Sequence, residues 1–201
     1  HEFTHVIHLS DTGYPAKWVK FVIGKLMAPN GTTPGWIREG MAAYFETAET
    51  TRGRGRSSFT DMLLRTDILQ GKFLKLDQMA GSQFEWPSWL AQYLYGVKFM
   101  EHIAERYGEK KLIEFSHSYG STLRFFSLNS HAKRVFRQER DPQLVHGRCI
   151  EPEWSDKGTW EVKRTYPEFC GPQGETFYDL WGSWKKELEQ KYAEQKASVE
   201  S

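Results

Sequence analysis

His1-Glu2-Phe3-Thr4-His5 is the stretch on which the reading of this chain turns. It spells H-E-x-x-H. On a helix the two histidines are four apart and lie on one face, one turn from each other. Two neutral imidazoles so placed can grip one zinc ion. Glu2, beside the first of them, can take a proton from a water held there. Two histidines leave a zinc site short, so a third protein ligand is expected downstream. His8 falls seven after His1, near the same face; it reads as a core histidine or one that supports a ligand, since a catalytic zinc keeps a position open.

Asp11-Thr12-Gly13 ends the first helix, and Trp18, Phe21, Val22 and Leu26 recur at helical spacing, predicting a second helix over 15–28. Thr33 and Pro34 follow as cap and first helical residue of a third. That third segment reads Trp36-Ile37-Arg38-Glu39-Gly40-Met41-Ala42-Ala43-Tyr44-Phe45-Glu46. Glu39 is the best candidate for the missing ligand. It is flanked by small residues that permit close approach to the histidine helix. Glu46 lies two turns along the same face and could accept a hydrogen bond from a ligand histidine, fixing its tautomer.

HEFTH followed by WIREGMAAYFE resembles the gluzincin metallopeptidases, the thermolysin-like and aminopeptidase N-like enzymes that carry H-E-x-x-H and W-x-x-E-G-x-A-x-Y-x-E. The resemblance implies one zinc ion per chain held by His1, His5 and Glu39, with Glu2 as general base. Glu39 follows His5 by 34 positions, a longer interval than in aminopeptidase N-like enzymes, which leaves room for the extra helix. Tyr93-Leu94-Tyr95-Gly96 is similar to the Y-x-x-G of that family. There the tyrosine hydroxyl stabilises the oxyanion, a role the resemblance carries to Tyr93, with Tyr95 in reserve. The implied activity is zinc-dependent hydrolysis of peptide bonds in a peptide or protein substrate, as exo- or endopeptidase. The alternative is a catalytically silent metallopeptidase-like module for binding or assembly.

The remaining pattern is helical. Thr51 to Ser57 reads as a basic loop, either a solvated connection or a rim of the cleft. A helix is expected over 59–70, capped by Ser58, and a long one over 87–107 with Tyr93, Val97, Met100, Ala104 and Tyr107 inward. Another spans 109–118 with Leu112, Ile113 and Phe115 inward, and one or two more lie within 121–140. His117 and His131 stand isolated. Prolines and glycines break the pattern from 141 to 173, where only Thr159 to Val162 hints at a strand. The last helix, 175–196, has a stripe of Phe177, Leu180, Trp181, Trp184 and Leu188.

The expected fold is therefore mainly α, a multi-helix catalytic subdomain of a thermolysin- or aminopeptidase N-like metallopeptidase. Its parts are a zinc-binding helical unit over 1–140, an irregular insertion over 141–173 and a C-terminal helix over 174–201. The ligand helix is expected to start upstream of His1. By the resemblance, an upstream part of the same polypeptide completes the cleft. Cys149 and Cys170 lie in the irregular stretch; a disulfide between them is one reading, two free thiols the other, and a bonded pair would favour export. The net charge is +1 with interspersed signs, which offers no argument for a nucleic-acid partner, and no apolar run is long enough to span a membrane.

Overall fold

The structure, a computed structural model, describes residues 1–24, 28–51, 53–81, 86–124, 127–137, 143–145, 148–154, 160–165 and 174–200. It is mainly helical. Eight α-helices are described: α1 (Glu2–Ser10), α2 (Ala16–Ile23), α3 (Gly35–Glu49), α4 (Ser58–Leu69), α5 (Ala91–Tyr107), α6 (Glu109–Gly120), α7 (Leu128–Val135) and α8 (Phe177–Glu200). Short 3-10 turns at Pro29–Thr32, Arg54–Arg56, Asp77–Met79 and Ser88–Leu90 join some of them. Among the described residues no helix is long and apolar enough to cross a membrane.

Helices α3 and α5 form the centre. They cross where both lack a side chain. A Cβ added to Gly40 would stand 2.8 Å from the backbone of Gly96, and one on Gly96 would stand 2.9 Å from the Trp36 carbonyl oxygen. Backbone therefore lies on backbone at the crossing. The small residues around Glu39 were expected to admit the histidine helix; Gly40 instead admits α5.

On one side of this pair an aromatic layer builds the core. Trp36 meets Phe177 edge-on, with ring centroids 5.0 Å apart, and Phe99 meets Trp181 likewise at 4.8 Å. Trp181 and Trp184 are 4.9 Å apart. All five are buried, so α8 shares the core of the helices far upstream. Such edge-to-face pairs place ring hydrogens on π-faces and pack without voids.

The periodicity located these helices better than their faces. In α5 the buried residues run from Leu94 through Val97 and Phe99 to Ile103, whereas Tyr93, Ala104 and Tyr107 are half-buried. The helix packs on several neighbours, so a single stripe understates its burial. Ile113 was expected inward but is 51% exposed, while Leu112 and Phe115 are buried. Ser57, not Ser58, holds the N-cap of α4, and Pro34 that of α3; the Thr33 hydroxyl donates to the Asn30 carbonyl instead of capping.

Helix α2 departs most from expectation. Trp18, Phe21 and Val22 face outward, with Phe21 88% exposed. On α1, Phe3, Val6 and Ile7 are exposed too. Helix α1 is held by its other face. His8 is buried and its Nδ1 lies 2.8 Å from Ser116 Oγ on α6. The Asn30 amide donates to the carbonyls of His8 (2.8 Å) and Asp11 (3.2 Å), tying down the helix end.

The stretch expected to be irregular contains an antiparallel meander, β1 (Gln143–Val145), β2 (Arg148–Trp154) and β3 (Trp160–Thr165), in the order β1-β2-β3. Ile150 pairs Gln143 on one side and Arg164 on the other; Cys149 pairs Leu144 and Thr165. Pro152 pairs Val162 of β3 and lies past the described residues of β1. Pro142, Pro167 and Pro172 lie outside the described residues. Cys170 lies outside the described residues, and with it the disulfide.

Two outcomes test this packing. Gly40→Ala or Gly96→Ala should cost about 1–3 kcal/mol, because the helices must part; unchanged urea midpoints would show that the crossing has slack. Burial pushes the His8 imidazole down to about 4, below its ordinary 6.5. The unfolded chain then takes up the proton first. Stability is full above pH 6.5 and falls as pH drops toward 4, by roughly 3 kcal/mol for this group. His8→Gln should flatten that part of the stability–pH curve; the same slope in the variant would assign it to other groups.

Candidate metal centre

The first turn of α1 sets the histidine pair. The His5 amide donates to the His1 carbonyl at 3.2 Å, and the two Nε2 atoms end 3.1 Å apart. Helix α3 brings Glu39 across. Its Oε2 lies 3.4 Å from His1 Nε2 and 3.2 Å from His5 Nε2. Among the described residues this is the one group of three or more such side chains whose ligating atoms converge. All three residues are partly shielded from solvent, at 15%, 20% and 16% side-chain exposure for His1, His5 and Glu39.

The donor set suits a tetrahedral cation. With metal–ligand lengths of about 2.0–2.2 Å, neighbouring donors in such a site stand about 3.3 Å apart. The three distances here bracket that value. The chemistry agrees with the geometry. A carboxylate oxygen and two imidazole nitrogens presented by their lone pairs repel one another unless a proton or a cation lies between them.

Two groups of opposite charge stand behind the His1 ring. Its Nδ1 lies 3.3 Å from Glu46 Oε2. A proton on Nδ1 would answer that carboxylate and leave Nε2 free to ligate. Arg54 Nη1 lies 3.3 Å from the same ring nitrogen and 3.7 Å from Glu46 Oε2. A guanidinium only donates, so its contact with Nδ1 calls for a lone pair there, and the two neighbours pull the tautomer in opposite directions. Glu46 Oε2 is buried and has no hydrogen-bond partner among the described residues.

Tyr93 completes the group from α5. Its ring centroid is 6.1 Å from that of His1, its hydroxyl lies near enough to Glu39 for that carboxylate to act on it, and the Arg54 guanidinium carbon sits 5.0 Å above its ring. Loss of hydration raises its pKa first, and the charge and hydrogen bond of Glu39 add to this; Arg54 opposes and Glu2 adds a little. The phenol therefore stays protonated and available as a donor near neutral pH. Tyr95, two residues on, points the other way. It is fully buried and donates to Asp67. Glu2 sits next to His1 on the exposed side of α1, close enough to Tyr93 for its charge to be felt there.

Arg54 stands in a stretch that reads as a solvated connection or a rim of the cleft, without singling out a residue. In the structure Arg54–Arg56 is a 3-10 turn anchored by Gly55, which is buried and whose amide donates to Thr47 Oγ1 at 3.0 Å. That bond pins the turn to α3 and aims Arg54 at the cluster. The R-G-R-G-R spacing alone carries no such signal. Two histidines that stand isolated in the sequence make local pairs. His117 Nδ1 meets Asp11 Oδ1 at 2.8 Å, and His131 Nδ1 meets Ser118 Oγ at 2.8 Å.

Comparison of the chain with protein families, curated proteins and solved structures finds no match.

Removing a converging donor should remove metal binding. After zinc loading, one equivalent per chain is expected by elemental analysis. His5→Ala and Glu39→Ala should each lower affinity by more than the roughly 10–100-fold expected for Glu46→Gln, whose carboxylate touches only a ligand's far nitrogen. Equal affinities in all three variants would dissolve this ordering and the cluster with it.

Proposed function

We propose that this chain is a zinc-dependent peptide hydrolase of the gluzincin type. The convergence of His1 Nε2, His5 Nε2 and Glu39 Oε2 within 3.4 Å of one another carries the reading. The motif pair quoted from the sequence supports it. Zinc on these residues would supply a water whose pKa falls from about 15.7 toward about 7, and would draw charge from a scissile carbonyl.

The protein's own groups do the rest. Glu2 takes the proton of the attacking water and passes it to the leaving amine, the task of a carboxylate beside the first ligand. Tyr93 donates its hydroxyl proton to the carbonyl oxygen as that oxygen gains charge. To do so the phenol must turn from Glu39, its partner in this structure, to the substrate. Glu46 stands behind the His1 ring, where a proton on Nδ1 would leave Nε2 to ligate, and Arg54 lies beside both.

Glu2→Gln should keep one zinc per chain and lower kcat by about 10²–10⁴-fold. Tyr93→Phe should lower it by about 10²–10³-fold with little change in zinc content. Full turnover in a zinc-loaded Glu2→Gln protein would end the assignment of the base. Zinc bound stoichiometrically by the unmodified chain, with no peptide cleaved, would favour a catalytically silent binding module instead.

A further inference from the structure

Helix α2 turns outward the kind of face that most helices bury. Tyr14, Trp18, Phe21 and Val22 are 74%, 65%, 88% and 66% exposed, and nothing among the described residues covers them. Trp18, Phe21 and Val22 stand three and four residues apart, so they share one side of the helix, and Tyr14 lies in the turn that leads into it. Ala16 and Val19 turn the other way; Ala16 is fully buried and Val19 half-buried. The helix thus rests on the protein by small side chains and carries its large ones into solvent. Single apolar residues scattered on a surface are ordinary, whereas three exposed aromatic rings within residues 14–21 form a patch.

The charges around the patch narrow what it meets. From Thr12 to Arg38 the chain carries Lys17, Lys20, Lys25 and Arg38 and no Asp or Glu, although acids and bases nearly balance over the whole sequence. Lys17 is exposed, beside Trp18 in sequence and one turn before Phe21; Lys20 is half-buried, and its ammonium donates to the Ser10 carbonyl at 3.4 Å. Lys25 lies outside the described residues. Bases without acids favour a negatively charged partner. The kind of base narrows the choice again. Protein interfaces are enriched in aromatic residues and Arg but depleted in Lys. The boundary between lipid and water takes Trp and Tyr rings at headgroup depth and lysine ammoniums at the phosphates. A lysine stem is long enough for the ammonium to stay among the headgroups while the ring beside it sinks. At eight residues α2 is far shorter than the roughly 20 needed to cross a bilayer, so the contact open to it runs along the surface.

We propose that α2 is a membrane-surface contact that lays Trp18, Phe21 and Val22 into the headgroup region of an anionic lipid leaflet, with Lys17 at its phosphates. Only residues 11–15 separate α2 from the ligand helix α1, so the contact holds the metal centre near the lipid. It does not depend on the chain being a hydrolase.

The test is sedimentation of the full chain with vesicles of phosphatidylcholine alone and of phosphatidylcholine with roughly one third phosphatidylserine. Binding to the anionic vesicles should be about tenfold tighter or more, and should weaken as salt is raised. In a Trp18→Ser, Phe21→Ser variant, binding should fall by about tenfold or more on either vesicle. Both side chains are exposed, so the urea midpoint of that variant should match that of the unmodified chain. Lys17→Gln should cost about fivefold on the anionic vesicles and nothing on the neutral ones. No binding to either vesicle, or equal binding by the serine variant, would overturn the proposal. So would self-association in sedimentation velocity that the serine variant abolishes, without vesicle binding; that result would give the face to a second copy of the chain.

Discussion

Helices α3 and α5 touch through backbone, at Gly40 and Gly96. A side chain at either place would hold the helices apart and move everything they carry. Glu39 precedes Gly40, and Tyr93 lies three residues before Gly96, less than one turn away. The crossing therefore sets how far the Glu39 carboxylate stands from the Tyr93 phenol whose pKa it raises. Trp36, one turn earlier on α3, fills the opposite side against Phe177 and Phe99. Core and site are thus two faces of one helix pair, and a shift at the crossing would be felt in both.

Around that pair the electrostatics are arranged in layers. Three ligating atoms converge at the centre, and a proton or a cation between them would offset the repulsion of their lone pairs. A carboxylate, Glu46, stands behind His1, and a guanidinium, Arg54, stands over both Glu46 and Tyr93. The guanidinium offsets the charge of the carboxylate beside it. In a partly shielded site such an attraction is worth more than at an open surface.

Helix α1 is anchored by few contacts. His8, Ser116 and Asn30 form a small buried polar group that secures its C-terminal half, while Phe3, Val6 and Ile7 face away from the protein. A buried neutral histidine is an economical clamp, since its ring nitrogen meets a hydroxyl without burying a charge. It also makes this clamp sensitive to acid.

How much of this was present in the chain itself differs from residue to residue. Helix positions were legible because apolar residues recur with the 3.6-residue period wherever a helix meets a core, as Phe177, Leu180, Trp181, Trp184 and Leu188 do in α8. His1 and His5 were legible because a four-residue spacing on a helix is a local property, and Glu39 because of the motif that surrounds it. What faces what was not. Periodicity could not tell that Phe21 and Val22 stay outside, or that Gly40 receives α5, because those outcomes depend on segments remote in sequence. The meander was obscured by prolines and glycines that interrupt the alternation a strand shows in sequence. Arg54 stood in a basic stretch that had two readings, and the bond that pins its turn to Thr47 decided between them. The sequence by itself determined the periodic elements and the donor types. Only the tertiary structure decided their partners, because proximity between distant residues is a property of packing and not of local spacing.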